Sequence, residues 1–371
     1  MGRLFIVFLC VGLVITGGIN SLFTKYQDNQ CVRDCDGNSP VFFNQPVLQT
    51  LQMFIGEMTV LIVFWGQKKN APLLDAGIPA KPAIKGRQYG LLALPAICDI
   101  VATTMLNLAL VMIPVSIYQM IRGGIVFFVA LFSVLFLGRK VSRLEWTSLA
   151  VIVLGVGVVG YSGQGVTAAE TSKSKHGTES LFLGVCLIVL ALIFMATQFI
   201  VEEHIMARRQ VIPVSLVGFE GLFGTLITFG ILLFGDILSG HNKVDSSVNM
   251  SQAFVDLFSN NKVLYSSVAI MVSIACFNYF GTSITKNVSA TSRSTVDTCR
   301  TMLVWLASLA LGWESFRSLQ LLGFTLLVFG TLVFNGAIEI PDKYLPQVLL
   351  EDKAGEYDRL IDTIDEEVER F

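Results

Sequence analysis

The chain is poor in charge. Asp, Glu, Lys and Arg make up 15% of its 371 residues, where soluble domains carry nearer a quarter. Long stretches lack the polar helix faces that a soluble protein would show at regular intervals. A net charge of -2 removes any strong electrostatic case for nucleic acid as a partner. Histidine is scarce: His176, His204 and His241 fall outside apolar stretches or at their ends, without metal-ligand spacing. No glycine-rich phosphate loop precedes a Lys-Ser or Lys-Thr pair, and the Gly-x-Ser-x-Gly elbow is missing. An ATP-driven pump built from this chain alone is thereby disfavoured, and so is an enzyme. The reading calls for no cofactor, no metal and no catalytic residue.

What the chain has instead is length of apolar sequence, 53% of residues being hydrophobic. A helix crosses the bilayer core with about 20 apolar residues. Spans are expected near 4–24, 46–66, 90–111, 113–137, 144–163, 180–201, 213–235, 263–285, 290–311 and 318–338. The first could be misread as a cleaved signal peptide, since Arg3 precedes it and Thr16-Gly17-Gly18 supplies small residues. Its apolar stretch is longer than a typical signal core, so an uncleaved helix is the preferred reading.

Lysine and arginine in the short loops set orientation. Lys68, Lys69, Lys81, Lys85 and Arg87 share one loop; Arg139, Lys140 and Arg143, then Arg208 and Arg209, follow on the same side. The alternate loops are neutral or balanced, so both termini are expected in the cytosol. Cys31 and Cys35 lie in the first non-cytosolic loop, where an oxidising lumen allows a disulfide; two free thiols are the alternative. Asn249-Met250-Ser251 is a glycosylation sequon in a later loop on that side.

The second half repeats the first. With Cys98 laid over Cys276, Thr104 meets Thr282, Ser116 meets Ser294, Gln119 meets Asp297 and Arg122 meets Arg300. After a slip of four residues, Phe132 to Gly138 resembles Ala307 to Gly312. Five helices per half is an odd number, so the second half enters the membrane from the opposite side. The expected fold is an all-α polytopic membrane protein of ten transmembrane helices, arranged as two inverted five-helix repeats. The repeats are 1–163 and 180–338, joined by a lumenal linker 164–179 and followed by an acidic cytosolic tail 339–371. Such repeats carry alternating access around a midplane site. Glycines at 123–124, 155, 157 and 160, and at 218, 221 and 224, allow close helix packing.

Ionisable residues inside spans are costly and mark function or internal pairing. They are Glu57, Asp99, Arg122, Glu220, Asp297 and Arg300. Asp297 and Arg300 are three apart on one helix and can touch; Arg122 has no acid within four positions. Tyr118 and Gln119 lie within a turn of Arg122, Asn107 precedes it, Asn278 and Thr282 share a helix face, and Thr301 adjoins Arg300. Thr16 and Asn20 are weaker candidates. Glu202 and Glu203 read as a solvated cytosolic helix end. An arginine fork suits carboxylate or phosphate, which points to an anionic or zwitterionic substrate. Glu57, Asp99 and Glu220 are the groups placed to exchange protons with a coupled gradient.

Several of these stretches resemble solute carrier family 35, subfamily F, of the drug/metabolite transporter superfamily. They are Leu94-Pro95-Ala96-Ile97-Cys98-Asp99, Ser116 to Gly123, Phe132 to Arg139, Phe219-Glu220-Gly221-Leu222-Phe223-Gly224, Asp297-Thr298-Cys299-Arg300-Thr301 and Ser308 to Glu314. The resemblance covers about residues 4–338. It implies the ten-helix fold, a cavity bordered by Arg122 and Arg300, and a homodimer through the fifth and tenth helices. It implies as substrate a small-molecule metabolite, with nucleotide sugars among the options. The lysine-rich nucleotide-binding cluster of established nucleotide-sugar carriers is absent here, which weakens that option.

In the tail, Glu356 stands four before the Leu360-Ile361 pair, an acidic dileucine pattern read by cytosolic sorting adaptors. The expected address is an endolysosomal membrane, lysosome or vacuole, with Golgi, endoplasmic reticulum and mitochondrion as alternatives. The leading functional reading is a secondary transporter; the competing one is a membrane scaffold or binding protein that kept the fold without transport.

Overall fold

A computed structural model describes residues 3–35, 41–43, 45–70, 90–113, 115–139, 141–170, 177–209, 211–239, 250–312 and 318–334. Asn249, Glu356, Leu360, Ile361 and the tail 339–371 lie outside the described residues, as do 171–176 of the expected linker.

The elements run α1 (Arg3–Asp28), β1 (Cys31–Arg33), β2 (Val41–Phe42), α2 (Pro46–Asn70), α3 (Ala93–Met112), α4 (Val115–Arg122), α5 (Ile125–Leu137), α6 (Arg143–Glu170), α7 (Gly177–Arg208), α8 (Pro213–Ser239), α9 (Met250–Ser259), α10 (Asn261–Asn287), α11 (Ala290–Ala310) and α12 (Ser318–Phe334). Proline opens α2 and α8, where its missing N–H costs nothing. Asn260 and Ser289 cap α10 and α11, their side chains accepting from the backbone N–H groups of Lys262 and Ser292. Gly138 closes α5 and Gly312 follows α11, both at φ 69°, a conformation glycine adopts without steric cost.

Seven helices among the described residues are long and apolar enough to cross a membrane, and α12 is a shorter apolar helix. The protein is therefore a multi-pass membrane protein. Helix α11 falls outside that set because its inward face is polar, carrying Thr291, Arg293, Ser294, Asp297, Thr298 and Arg300, all buried. Lipid-facing apolar side chains surround the bundle: on α1 alone Leu4, Phe8, Val11, Ile15 and Ile19 are exposed, as the bilayer, not water, is their solvent.

The expected single span 113–137 corresponds to one membrane-crossing stretch, Ile117–Leu137, within which Gly123–Gly124 form a local turn between α4 and α5. The Gly124 N–H tightens onto the Ile121 carbonyl, and the Thr298 hydroxyl donates to the Gly123 carbonyl at 3.2 Å. A side chain from α11 thus satisfies a backbone oxygen at the glycine turn inside this span.

The helices pair across the two halves. Helix α1 packs on α10, α3 on α7, α2 on α8 and α6 on α12. The α2–α8 crossing is close because of glycines: a Cβ on Gly221 would strike the backbone of Glu57 and Met58, and one on Gly224 the ring of Phe54. The main apolar core joins α3, α4, α5 and α7 through residues such as Leu106, Ile117, Val129, Ile188 and Phe199.

The chain after α1 forms a short antiparallel hairpin, β1 with β2. Cys31 and Cys35 are joined by a disulfide with Cα atoms 5.7 Å apart. Asp34, at φ 52°, turns the chain between them. The hairpin docks on α9, where Arg33 Nε lies 3.3 Å from the buried Asp256 carboxylate and Gln45 and Gln252 donate to the same group.

Candidate functional site

A cavity of about 60 Å³ lies between helices of both halves. Its polar lining comes from Asn20, Ser21 and Thr24 of α1, Glu57 of α2, Asp99, Thr103 and Asn107 of α3, and Tyr118, Gln119 and Arg122 of α4. Gln198 of α7, Asn278 of α10 and Arg293 of α11 complete it, with Phe54, Phe199 and Phe277 as aromatic walls.

Seven of the site residues expected from sequence meet here: Glu57, Asp99, Asn107, Tyr118, Gln119, Arg122 and Asn278. Glu220, Thr282, Asp297, Arg300 and Thr301 pack behind the wall. Among the described residues, the guanidinium groups that line the cavity belong to Arg122 and Arg293.

Arg122 ends α4 at the glycine break, so its side chain projects from a helix terminus. Nη1 donates to the Tyr118 hydroxyl at 3.2 Å. Its Nε has no hydrogen-bond partner, and no carboxylate lies within ion-pair distance among the described residues. The neighbouring Gln119 Oε1 is also buried and unpartnered. Across the cavity Asp99 accepts from the Thr103 hydroxyl at 2.8 Å, and Glu57 accepts from the Asn278 amide. One wall can donate to an acid and the other can accept from an ammonium or hydroxyl group.

Arg300 occupies a different environment from Arg122. Its Nε and Nη2 meet both Asp297 oxygens at 2.6 and 3.2 Å, and Nη1 donates to Ser21 at 2.7 Å. Phe277 faces the guanidinium at 5.5 Å. With both groups 1% exposed, this ion pair is self-satisfied and binds α11 to α1. Thr301 and Thr282 turn their hydroxyls back to the Thr298 and Asn278 carbonyls, as hydroxyls within apolar helices do. Asn107 braces α2, donating to Thr50 and the Pro46 carbonyl.

Arg293 was not among the expected site residues, and Glu202 was read as solvated. That reading of Glu202 is corrected. Helix α7 continues to Arg208, beyond the expected end of its span at 201, so Glu202 lies inside the bundle at 1% exposure. Arg293 Nη1 donates to it at 2.6 Å, Nη2 reaches Asn278 at 3.3 Å, and the guanidinium stacks 3.9 Å from the Phe199 ring. A helical signal was available: 293, 297 and 300 lie at i, i+4 and i+7 on one face of α11. Glu203 is half-buried and accepts from the Ala290 backbone N–H at 2.9 Å.

Residues 42–338 match the UAA transporter family. The human protein "Solute carrier family 35 member F6" is 34% identical over 342 residues, covering 89% of this chain and 88% of its own length. An uncharacterised protein of Schizosaccharomyces pombe is 36% identical over 340 residues, covering 89% and 97%. A "UDP-N-acetylglucosamine/UDP-N-acetylgalactosamine transporter" of Caenorhabditis elegans is 25% identical over 170 residues, 44% of this chain and 50% of its own. One solved crystal structure aligns with a TM-score of 0.57 at 12% identity, covering 91% of this chain and 99% of its own; it speaks for the fold alone.

Proposed function

The chain belongs to the UAA transporter family and within it resembles subfamily F of solute carrier family 35; from that premise we propose that it is a secondary transporter moving a small anionic or zwitterionic metabolite by alternating access. The observation that carries this reading is Arg122. It faces a cavity walled by helices of both halves, and among the described residues no carboxylate makes ion-pair contact with it, Asp297 and Asp99 acting on it from farther away. A buried guanidinium left open is costly; a substrate acid group supplies the missing partner in the fork geometry that arginine offers. Asp99 and Glu57 on the facing wall favour a zwitterion over a plain anion.

Two inverted five-helix repeats are part of the proposal. Exchanging the halves turns the α1–α10 pair into the α3–α7 pair and returns α2–α8 and α6–α12 to themselves. The left-handed glycines Gly138 and Gly312 fall at equivalent ends. Dimerisation through the outer faces of α6 and α12 belongs to the same reading, as does an endolysosomal address through Glu356, Leu360 and Ile361 with both termini in the cytosol. Asn249 and the Cys31–Cys35 bridge would then be lumenal. Nucleotide sugars stay within the substrate class to be tested, on the strength of the Caenorhabditis elegans relative.

The competing reading is a scaffold that kept the fold. The self-satisfied Arg300–Asp297 pair and the Arg293–Glu202 ion pair favour it; Arg122, with no carboxylate in ion-pair contact among the described residues, weighs against it. The test is metabolite profiling of purified organelles from cells lacking the protein, followed by uptake of the accumulated compound into liposomes holding the full chain. An accumulated metabolite with saturable uptake supports transport. No metabolite change and no uptake would leave the scaffold.

A further inference from the structure

Between the cavity and the basic-loop end of the bundle, four carboxyl groups converge on few cations. Glu202 pairs with Arg293. Asp99 shares the cavity lining with Arg293 and Arg122, both of which act on it. Glu57 is 2% exposed and has only the Asn278 amide. Glu220, on α8, is 3% exposed, and its Oε1 has no hydrogen-bond partner. Glu220 adjoins Gly221, where an added Cβ would strike the backbone of Glu57 and Met58, so the two acids lie on helices that cross closely at this point.

The charged groups that act on Glu220 are Glu202 of α7, Glu57 of α2, Asp99 of α3 and Arg293 of α11. Helix α10 contributes the Asn278 amide next to Glu57 and, at its end, Lys286, whose ammonium donates to the Val211 carbonyl. Four buried carboxylates against the guanidiniums of Arg293 and Arg122 leave an excess of negative charge. Within a low-dielectric core such an excess is costly unless another cation shares the site.

We propose that Glu220 is a proton-binding site, and that its proton controls the Arg293–Glu202 pair that latches α7 to α11. With a proton on a Glu220 oxygen the group is a neutral acid, and Arg293 stays on Glu202 as observed. When that proton leaves to water, a second anion faces Arg293, whose Nε has no hydrogen-bond partner while Nη1 holds Glu202. The guanidinium is then drawn between two carboxylates and the latch loosens. The carboxyls titrate as one coupled set. Naming this proton a coupling ion rests on the transporter reading; its binding does not.

Infrared difference spectroscopy on the full chain in liposomes, stepped from acid to neutral pH, reads the protonated carboxyl band directly. Wild type should lose such a band on the step. Glu220→Gln should remove it, while Glu202→Gln should keep it and move its midpoint by withdrawing one of the anions that face it. Latch opening is read separately with Glu220 unaltered. Spin labels attached beforehand to Glu203→Cys and Ala290→Cys, the free cysteines being replaced, should lie closer together at acid than at neutral pH. Adding Glu220→Gln to that pair should make the distance independent of pH. A band that survives Glu220→Gln, or a label distance unaffected by pH in the Glu220 background, overturns the proposal. Neither result bears on uptake, so the transporter reading stands or falls by its own experiment.

Discussion

Arg293 and Glu202 are 91 residues apart in sequence and meet at 2.6 Å inside the bundle, at 2% and 1% exposure. One comes from the first turn of α11 and the other from the last third of α7. The pair closes the cavity wall with a charge that neither helix could bury alone. Removing one member of such a pair strands the other, at a cost of about 3–5 kcal/mol. Glu202→Ala or Arg293→Ala should therefore lower thermal stability of the detergent-purified protein markedly. The double change Glu202→Leu with Arg293→Met should recover most of the loss. A double variant no more stable than either single one would show that the pair is not the unit.

Arg122→Lys keeps the charge and removes the fork. Uptake of the identified metabolite into liposomes should fall by about 10- to 100-fold, matching the roughly 1.5–3 kcal/mol of a charge-assisted hydrogen bond. Arg300→Lys should act chiefly on stability, since that guanidinium is spent on Asp297 and Ser21. Full activity of Arg122→Ala would remove Arg122 from recognition.

Gly221→Val should force α2 and α8 apart, because even a Cβ there meets the Glu57 and Met58 backbone. An overpacked interior loses about 1–3 kcal/mol, read as a lower melting temperature. Gly157→Ala is the control, with nothing within 4 Å of its added Cβ. Equal effects at the two sites would refute the packing argument.

Cys31→Ser should remove about 2 kcal/mol or less, since the loop closed by the disulfide is short, while leaving the membrane bundle folded. After mild reduction, Cys31 and Cys35 should react with a membrane-impermeant maleimide only from the non-cytosolic face. Labelling from the cytosol would reverse the orientation.

Leu360→Ala with Ile361→Ala should move the protein from endolysosomal membranes to the cell surface, scored by surface biotinylation. An unchanged distribution would remove the tail motif from the account.

Much of the fold was legible because lipid imposes a simple rule. Apolar runs of about 20 residues must be helices, and seven such helices stand among the described residues where the sequence placed spans. Gly123 and Gly124 read in sequence only as close-packing residues; the turn they form, with the Thr298 hydroxyl on the Gly123 carbonyl, depends on a helix 175 residues away. The sequence also singled out Arg122, since no acid lies within four positions of it, and Arg300, whose acid partner lies three residues before it. Both properties are local.

Glu202 and Arg293 were hidden because each lies near a helix end, where a charge normally snorkels to water. Whether a terminal charge is solvated or buried depends on how far neighbouring helices extend beyond it, and no single segment carries that information. Sequence by itself determined that this chain is a multi-pass membrane protein with ionisable residues inside its apolar spans. Only the tertiary structure decided which charges were already spent on each other. Ion pairing acts over a few ångströms between side chains from different helices, so it is a property of helix packing and not of the order of residues along the chain.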